Sequence, residues 1–193
     1  MQTIYYIFLK ILKTNIVVFI LNQRKFLKFY IYKNKTLKCN HKNTIYKPSL
    51  PKIFVIGHNK SGTSSLHKLF IRSGYKSYHY EYGLLAHKIK QNFNSNSPLL
   101  KGIEEAHLYS DIECGSGLSY EYNLFPQFDL QYPGSFFIYN YRDIEKWINS
   151  RINHKVIKNW NGKYIDVCLQ NLNYFYGYNF KTYEEICNHW RSY

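Results

Sequence analysis

The sequence predicts an α/β domain with three layers, in which a central parallel sheet is flanked by helices. Two runs rich in β-branched and aromatic residues, Lys52–Ile56 and Ser135–Tyr141, have the composition of buried strands. Each run precedes a segment with helical spacing of apolar residues, Thr63–Ser73 after the first and Asp143–Asn153 after the second. Strands that alternate with helices along a chain indicate a parallel sheet with covering helices.

The composition is that of a folded, basic chain. It has 193 residues, of which 45% are hydrophobic, so it is long enough for one domain with a core. A formal net charge of +14 attracts anions such as nucleotides, sulfated glycans and membrane surfaces. Lys, Asn, Ile and Tyr are abundant throughout, which is typical of AT-biased genomes, so we do not infer a nucleic-acid partner from charge alone. Four cysteines are scattered without metal-ligand spacing, so we predict no metal site and leave the redox compartment open.

Residues 1–31 form an N-terminal apolar and basic segment, followed by a linker over residues 32–51. Ile4–Leu21 is mostly apolar, but Lys10 and Lys13 would be costly inside a bilayer. A membrane anchor, an interfacial amphipathic helix and an ordinary packed helix therefore remain open. The linker is polar, lacks periodicity and ends in prolines. We assign residues 52–193 to the main domain.

Further elements follow in order within this domain. The helix that starts at Thr63 should stop at Gly74, and Tyr75–Tyr80 alternates like a second strand. Tyr82–Phe93 has helical spacing, whereas Leu108–Gly117 is rich in turn residues.

Two more helices are predicted near the C-terminus. Lys163–Tyr176 has helical spacing, and Thr182–Glu185 has the form of a capping box that opens a last helix. That last helix runs about three turns before Tyr193 and has no capping signal at its end.

The loop between the first strand and its helix has the features of a phosphate-binding loop. Backbone N–H groups at a helix N-terminus carry partial positive charge, which suits a phosphate. Gly57 and Gly62 are spaced as in a nucleoside-triphosphate P-loop, in which lysine follows the second glycine. Here Thr63 takes that position, and the lysine lies inside the loop as Lys60. A lysine in the loop can reach the bridging atom of a shorter donor.

The second buried strand also argues against a magnesium-dependent NTPase. It ends in Asn140-Tyr141-Arg142, without the aspartate that would help to hold magnesium. Arg142 instead lies at the carboxyl end of a parallel strand, where ligands bind in open α/β sheets. Ser150 follows eight residues later, about two helical turns on, and could face the same pocket. The forked donors of arginine suit a phosphate dianion.

These two motifs resemble those of the sulfotransferase family. Lys52–His67 is similar to the family's 5′-phosphosulfate loop, and Arg142 with Ser150 resembles its 3′-phosphate motif. The resemblance covers Lys52–Tyr193 and implies a P-loop-type fold. Because members of the family usually continue well past the helix that carries the serine of the second motif, it also implies a domain that is incomplete at its C-terminal end. It also implies sulfuryl transfer from 3′-phosphoadenosine 5′-phosphosulfate to a hydroxyl or amine, without a metal.

The resemblance assigns roles to individual residues. Lys60 would stabilise the charge that grows on the leaving phosphate. The expected donor-binding residues are Gly57, His58, Asn59, Lys60, Ser61, Gly62, Thr63, Ser64, Ser65, Arg142 and Ser150. Family members place a His or Glu base between the two motifs, where this chain offers His79, Glu81, His107, Asp111 and Glu113. We rank Asp111 first, His79 second and Glu113 third.

The acceptor and the cellular location stay open at this level. We expect a carbohydrate or other small-molecule acceptor, because an N-terminal anchor would suit a glycan-modifying enzyme of the secretory pathway. The basic stretch Arg24–Lys38 would instead keep the domain in the cytoplasm. Two alternatives remain, a magnesium-dependent kinase-like P-loop enzyme and an inactive remnant that binds anions.

Overall fold

The structure is a computed structural model that describes residues 41–113, 121–154, 165–166, 168–169, 172–173 and 178–192. The described residues form two compact units, one ending at Asp143 and the other beginning at Ile144. The predicted helix or anchor over Ile4–Leu21 and most of the predicted linker lie outside the described residues. Within the described ranges, no helix has the length and apolar character needed to cross a membrane.

The first unit contains a sheet of four parallel strands. Their bounds are Ile53–Val55 (β1), Ser77–His79 (β2), Leu108–Ser110 (β3) and Phe136–Ile138 (β4). The strand order is β2-β3-β1-β4, and β1 pairs with both β3 and β4 in parallel register. This arrangement confirms the predicted α/β class with a central parallel sheet.

Helices cover both faces of the sheet. The helices are Thr63–Arg72 (α1), Leu84–Asn94 (α2) and Glu121–Gln131 (α3), with a short 3₁₀ turn at Glu81–Gly83. Right-handed crossovers place α1 on one face and α2 and α3 on the other, because the β1-to-β2 and β3-to-β4 connections run in opposite directions across the sheet. The predicted helix stop at Gly74 is confirmed, with a φ of +83°.

The main core lies between the sheet and helices α2 and α3. Aromatic residues in register across the four strands form the sheet side of this core. The ring centroids of neighbours on adjacent strands are 5.5–5.9 Å apart. In strand order they are Tyr78, Tyr109, Phe54 and Phe137. Phe128 of α3 packs on Phe54 at a ring-centroid distance of 4.3 Å. This apolar face fixes the register of the short strands, since a shift of one residue would turn the aromatic rings to the other face.

Two elements of this unit were not predicted. β3 begins the segment Leu108–Gly117, which we had described only as turn-rich, yet its three residues are all buried. A strand this short cannot show a clear alternation, so its neighbours in the sheet define it. Helix α3 contains Pro126 in its interior, and a proline interrupts the pattern by which a helix is recognised.

The second unit contains helices Ile144–Ile152 (α4) and Tyr183–Arg191 (α5). The capping box that opens α5 is present, with the Thr182 side chain and Glu185 bonding each other's backbone N–H groups. The buried Arg151 guanidinium lies over the rings of Trp147 and Trp190, at 4.8 and 4.3 Å from their centroids. Cys168 and Cys187 are buried free thiols, while Cys39 and Cys114 lie outside the described residues. The described part of Lys163–Tyr176 is helical.

Candidate functional site

The loop between β1 and α1 is held against the end of β4. A Cβ atom on Gly57 would lie 2.5 Å from the carbonyl oxygen of Asn140 and 2.7 Å from its Cβ atom. Side chains do not tolerate contacts that short, so only glycine allows the two backbones to come this close. The close approach brings the loop beside the segment that continues β4.

The loop leads directly into the N-terminus of α1. Gly62 has a φ of +101° and begins the helix without any side-chain cap. The N–H groups of Ser65 and Leu66 already reach the Gly62 carbonyl, at 2.9 and 3.3 Å. The preceding N–H groups of the first turn point out of the helix end, which is the arrangement that favours a bound anion.

Lys60 has a strained backbone and a hydrogen-bond partner from the segment that follows β4. Its φ of +64° is unusual for a residue with a side chain. Arg142 Nη1 donates a hydrogen bond to the Lys60 carbonyl oxygen at 2.7 Å. The structure therefore brings together the two basic residues that the sequence placed 82 positions apart.

The other predicted loop residues take different positions. The Ser61 hydroxyl donates to the His58 carbonyl, which closes the loop on itself. Thr63 is buried at 2% exposure, whereas Asn59 is half-buried and Ser65 is exposed. Ser150 lies in α4, in the second compact unit, and is half-buried there. Its role at the 3′-phosphate stays a prediction.

Backbone strain concentrates at the carboxyl edge of the sheet. Among the described residues, seven besides glycine have positive φ, and five of these follow β1, β2 or β3. These five are Lys60, Tyr80, Glu81, Tyr82 and Asp111. Left-handed backbone at such residues is costly and is found mainly at functional sites. The strained residues therefore lie at the same edge of the sheet as the loop between β1 and α1.

His79 is the centre of a hydrogen-bond network at this edge. Its Nε2 atom lies 3.0 Å from Ser64 Oγ in the first turn of α1, and its Nδ1 atom lies 3.2 Å from Ser110 Oγ. The Ser110 hydroxyl donates to the Tyr78 carbonyl at 3.3 Å. Ser110 therefore accepts the proton of Nδ1, and Nε2 is left as the acceptor for Ser64.

Asp111 lies beside the same nitrogen. The distance from Asp111 Oδ2 to His79 Nε2 is 3.8 Å. Burial lowers the pKa of His79 to about 4, so the imidazole is neutral at pH 7 and the contact is not an ion pair. The structure thus brings together the two highest-ranked base candidates.

His67 extends the network along the face of α1. Its ring lies 5.1 Å from that of His79 in a stacked geometry, and its Nδ1 atom is 2.8 Å from Ser77 Oγ. Burial, and then the nearby His79, lower the pKa of His67 to about 4. His67 is therefore also neutral at pH 7.

The remaining base candidates are placed less favourably. Glu113 is buried at 1% exposure, and its role stays a prediction. Glu81 follows β2, and burial raises its pKa. His107 is not at the site, because it precedes β3 and accepts a hydrogen bond from the Lys47 N–H at 3.0 Å. It lies at the amino edge of the sheet, opposite the loop.

Two residues of the site were missed in the sequence. Asn140 packs on Gly57, and its Nδ2 atom lies 3.5 Å from where a Cβ atom of Gly62 would be. Ser110 fixes the tautomer of His79. The position of Asn140 two residues before Arg142, at the carboxyl end of a strand, was an available signal; Ser110 had none. No group of three or more His, Cys, Asp or Glu side chains in the described residues is arranged to hold a metal ion.

Comparison with known proteins identifies one family. A family model described as a sulfotransferase domain matches residues 52–193. No curated protein and no solved structure gives a significant match. The matched residues include the loop, Arg142 and both members of the His79–Asp111 pair.

Proposed function

The chain belongs to the sulfotransferase family, and on that premise we propose that it moves a sulfuryl group from 3′-phosphoadenosine 5′-phosphosulfate to a hydroxyl or amine acceptor. The main support is the glycine-flanked loop, which carries Lys60 and runs into the uncapped end of α1. Such a loop would offer backbone N–H groups and a lysine to a phosphosulfate.

The donor would lie across the carboxyl edge of the sheet. Its 5′-phosphate would lie at the N-terminus of α1, where the N–H groups of the first turn face outward. The hydroxyl groups of the Thr63–Ser65 segment would supplement them. Arg142 is exposed and uses one guanidinium N–H on Lys60, so its other donors would be available to a 3′-phosphate.

The reaction is an in-line displacement at sulfur. The acceptor oxygen or nitrogen forms a new bond to sulfur while the bond from sulfur to the bridging oxygen of the donor breaks. The electron pair of that bond goes to the 5′-phosphate, whose negative charge grows. The ammonium group of Lys60 would stabilise this charge, and fixed donors are effective because they need no reorganisation during the step. The products are the sulfated acceptor and 3′-phosphoadenosine 5′-phosphate.

We assign the acceptor proton to the His79–Asp111 pair. His79 Nε2 is the acceptor nitrogen in its tautomer, and it already receives a hydroxyl hydrogen bond from Ser64. An acceptor hydroxyl that replaced Ser64 at this atom would be in position for deprotonation. The Asp111 carboxylate, 3.8 Å away, would then stabilise the imidazolium cation.

A carbohydrate is our preferred acceptor class. The support is the formal net charge of +14, which attracts acidic and sulfated glycans. A transfer assay with radiolabelled donor and a panel of glycans, phenols and amines would identify the class.

Binding of the desulfated donor tests the proposal without an acceptor. We expect calorimetric titration to detect 3′-phosphoadenosine 5′-phosphate and to show no magnesium requirement. ATP with magnesium should bind more weakly, because the loop lacks the lysine that reaches a γ-phosphate. Tight magnesium-dependent ATP binding, with no binding of the bisphosphate, would refute the proposal.

A further inference from the structure

Arg142 makes a contact that recognition of a 3′-phosphate does not require. Its Nη1 atom donates to the carbonyl oxygen of Lys60 at 2.7 Å, inside the loop that serves the other end of the donor. Hydrogen bonds with a charged partner are stronger than neutral ones and fix geometry. This contact therefore acts on the loop whether or not a 3′-phosphate is bound.

The recipient of this hydrogen bond is a strained residue. Lys60 has a φ of +64°, a conformation that is unfavourable unless its surroundings hold it. Within the loop, the Ser61 hydroxyl donates to the His58 carbonyl. The guanidinium of Arg142 therefore restrains the peptide of Lys60 from outside the loop.

The backbone segment that carries Arg142 is itself held in place. Asn140, two residues before Arg142, packs its backbone on Gly57 so closely that no side chain fits between them. The Ile56 N–H also donates to the Ile138 carbonyl at 2.9 Å. The segment that carries Arg142 is thus joined to the loop at Ile56, Gly57 and Lys60.

We propose that Arg142 is a positioning residue for Lys60, in addition to any contact with the 3′-phosphate. By holding the Lys60 carbonyl, it sets the loop for the 5′-phosphate and directs the lysine side chain toward the leaving group. Its exposed guanidinium has five N–H donors, of which this bond uses one. This inference rests on the proposed function, because it assigns roles at the same donor site.

The distinguishing ligand is adenosine 5′-phosphate, which has no 3′-phosphate. We expect Arg142→Ala to weaken its binding about tenfold, the usual scale for a lost charge-assisted hydrogen bond. Binding of 3′-phosphoadenosine 5′-phosphate should weaken by a larger factor. Calorimetric titration of both ligands measures the two factors. Unchanged affinity for adenosine 5′-phosphate would overturn the inference and leave the proposed function intact.

Kinetics supply a second, independent readout. A positioning role predicts that Arg142→Ala lowers kcat at saturating donor, whereas a residue that binds only the 3′-phosphate would alter KM alone. In a Lys60→Ala background, Arg142→Ala should have little further effect on kcat, because the lysine it positions is absent. An effect confined to KM, or equal kcat losses in both backgrounds, would contradict the proposal.

Two further variants control for charge and folding. Arg142→Lys keeps a cation for the 3′-phosphate but loses the guanidinium group. Compared with Arg142→Ala, it should therefore restore more of the donor affinity than of kcat. Arg72→Ala removes an exposed arginine from the last turn of α1, at the opposite end of that helix from the loop. Arg72→Ala should leave both donor affinity and kcat unchanged. If the wild-type protein binds neither nucleotide, the proposed function itself fails.

Discussion

Gly57 offers a direct test of how the loop is held. In Gly57→Ala the new methyl carbon would lie 2.5 Å from the Asn140 carbonyl oxygen and 2.7 Å from its Cβ atom. Both atoms belong to, or are fixed by, the backbone that continues β4, so they cannot move aside as a flexible side chain would. Forced overpacking of this kind typically costs about 1–3 kcal/mol. For a chain of this size that corresponds to a fall in Tm of roughly 2–12 °C.

The matched control is Gly134→Ala. A Cβ atom at Gly134 meets nothing within 4 Å, but the φ of +79° strains any other residue there. It should cost about 1 kcal/mol through the backbone alone and leave ligand binding unchanged. Urea denaturation would measure stability, and titration with 3′-phosphoadenosine 5′-phosphate would measure binding. If Gly57→Ala loses neither stability nor affinity, the close approach of loop and strand does not exist.

Two other predictions concern the chemistry of the site. Lys60→Ala should lower kcat by about 10²–10³-fold, as loss of a charge-stabilising donor does. Affinity for the desulfated donor should fall less than tenfold. Equal losses in kcat and in affinity would contradict a role of Lys60 in the transition state. His67 and His79 have pKa values lowered from 6.5 to about 4 by burial, so between these values the unfolded chain binds protons that the folded protein does not. The free energy of unfolding should therefore fall as pH drops from about 6.5 to about 4. Replacing both histidines with glutamine should flatten that slope in urea denaturation, and an unchanged slope would show that they are not buried as described.

Much of the fold follows from local sequence patterns. β1, β4, α1 and α4 each have a clear composition or apolar period, and their alternation predicted the parallel sheet. The two glycines likewise predicted a tight loop between β1 and α1, because glycine permits backbone conformations and approaches that other residues do not. These features depend on residues close together in the chain, so the sequence alone determined them.

Other features exist only because distant segments meet. β3 is three residues long and is a strand because β1 and β2 supply hydrogen bonds on both sides. The Arg142 contact with Lys60 joins the segments that follow two different strands, β4 and β1. His107 was among the base candidates that the sequence offered, and its place before β3 puts it at the amino edge of the sheet, away from the loop.

The pair formed by His79 and Asp111 shows the same division. The sequence listed His79 and Asp111 as candidates but could not pair them. Parallel alignment of β2 and β3 puts His79 opposite Ser110 in register, and Asp111 comes next along the chain. Packing around His79 then lowers its pKa, and the chain of hydroxyl groups selects its tautomer. Residue types were set locally, whereas protonation, tautomer and proximity depend on neighbours that only the folded chain brings together.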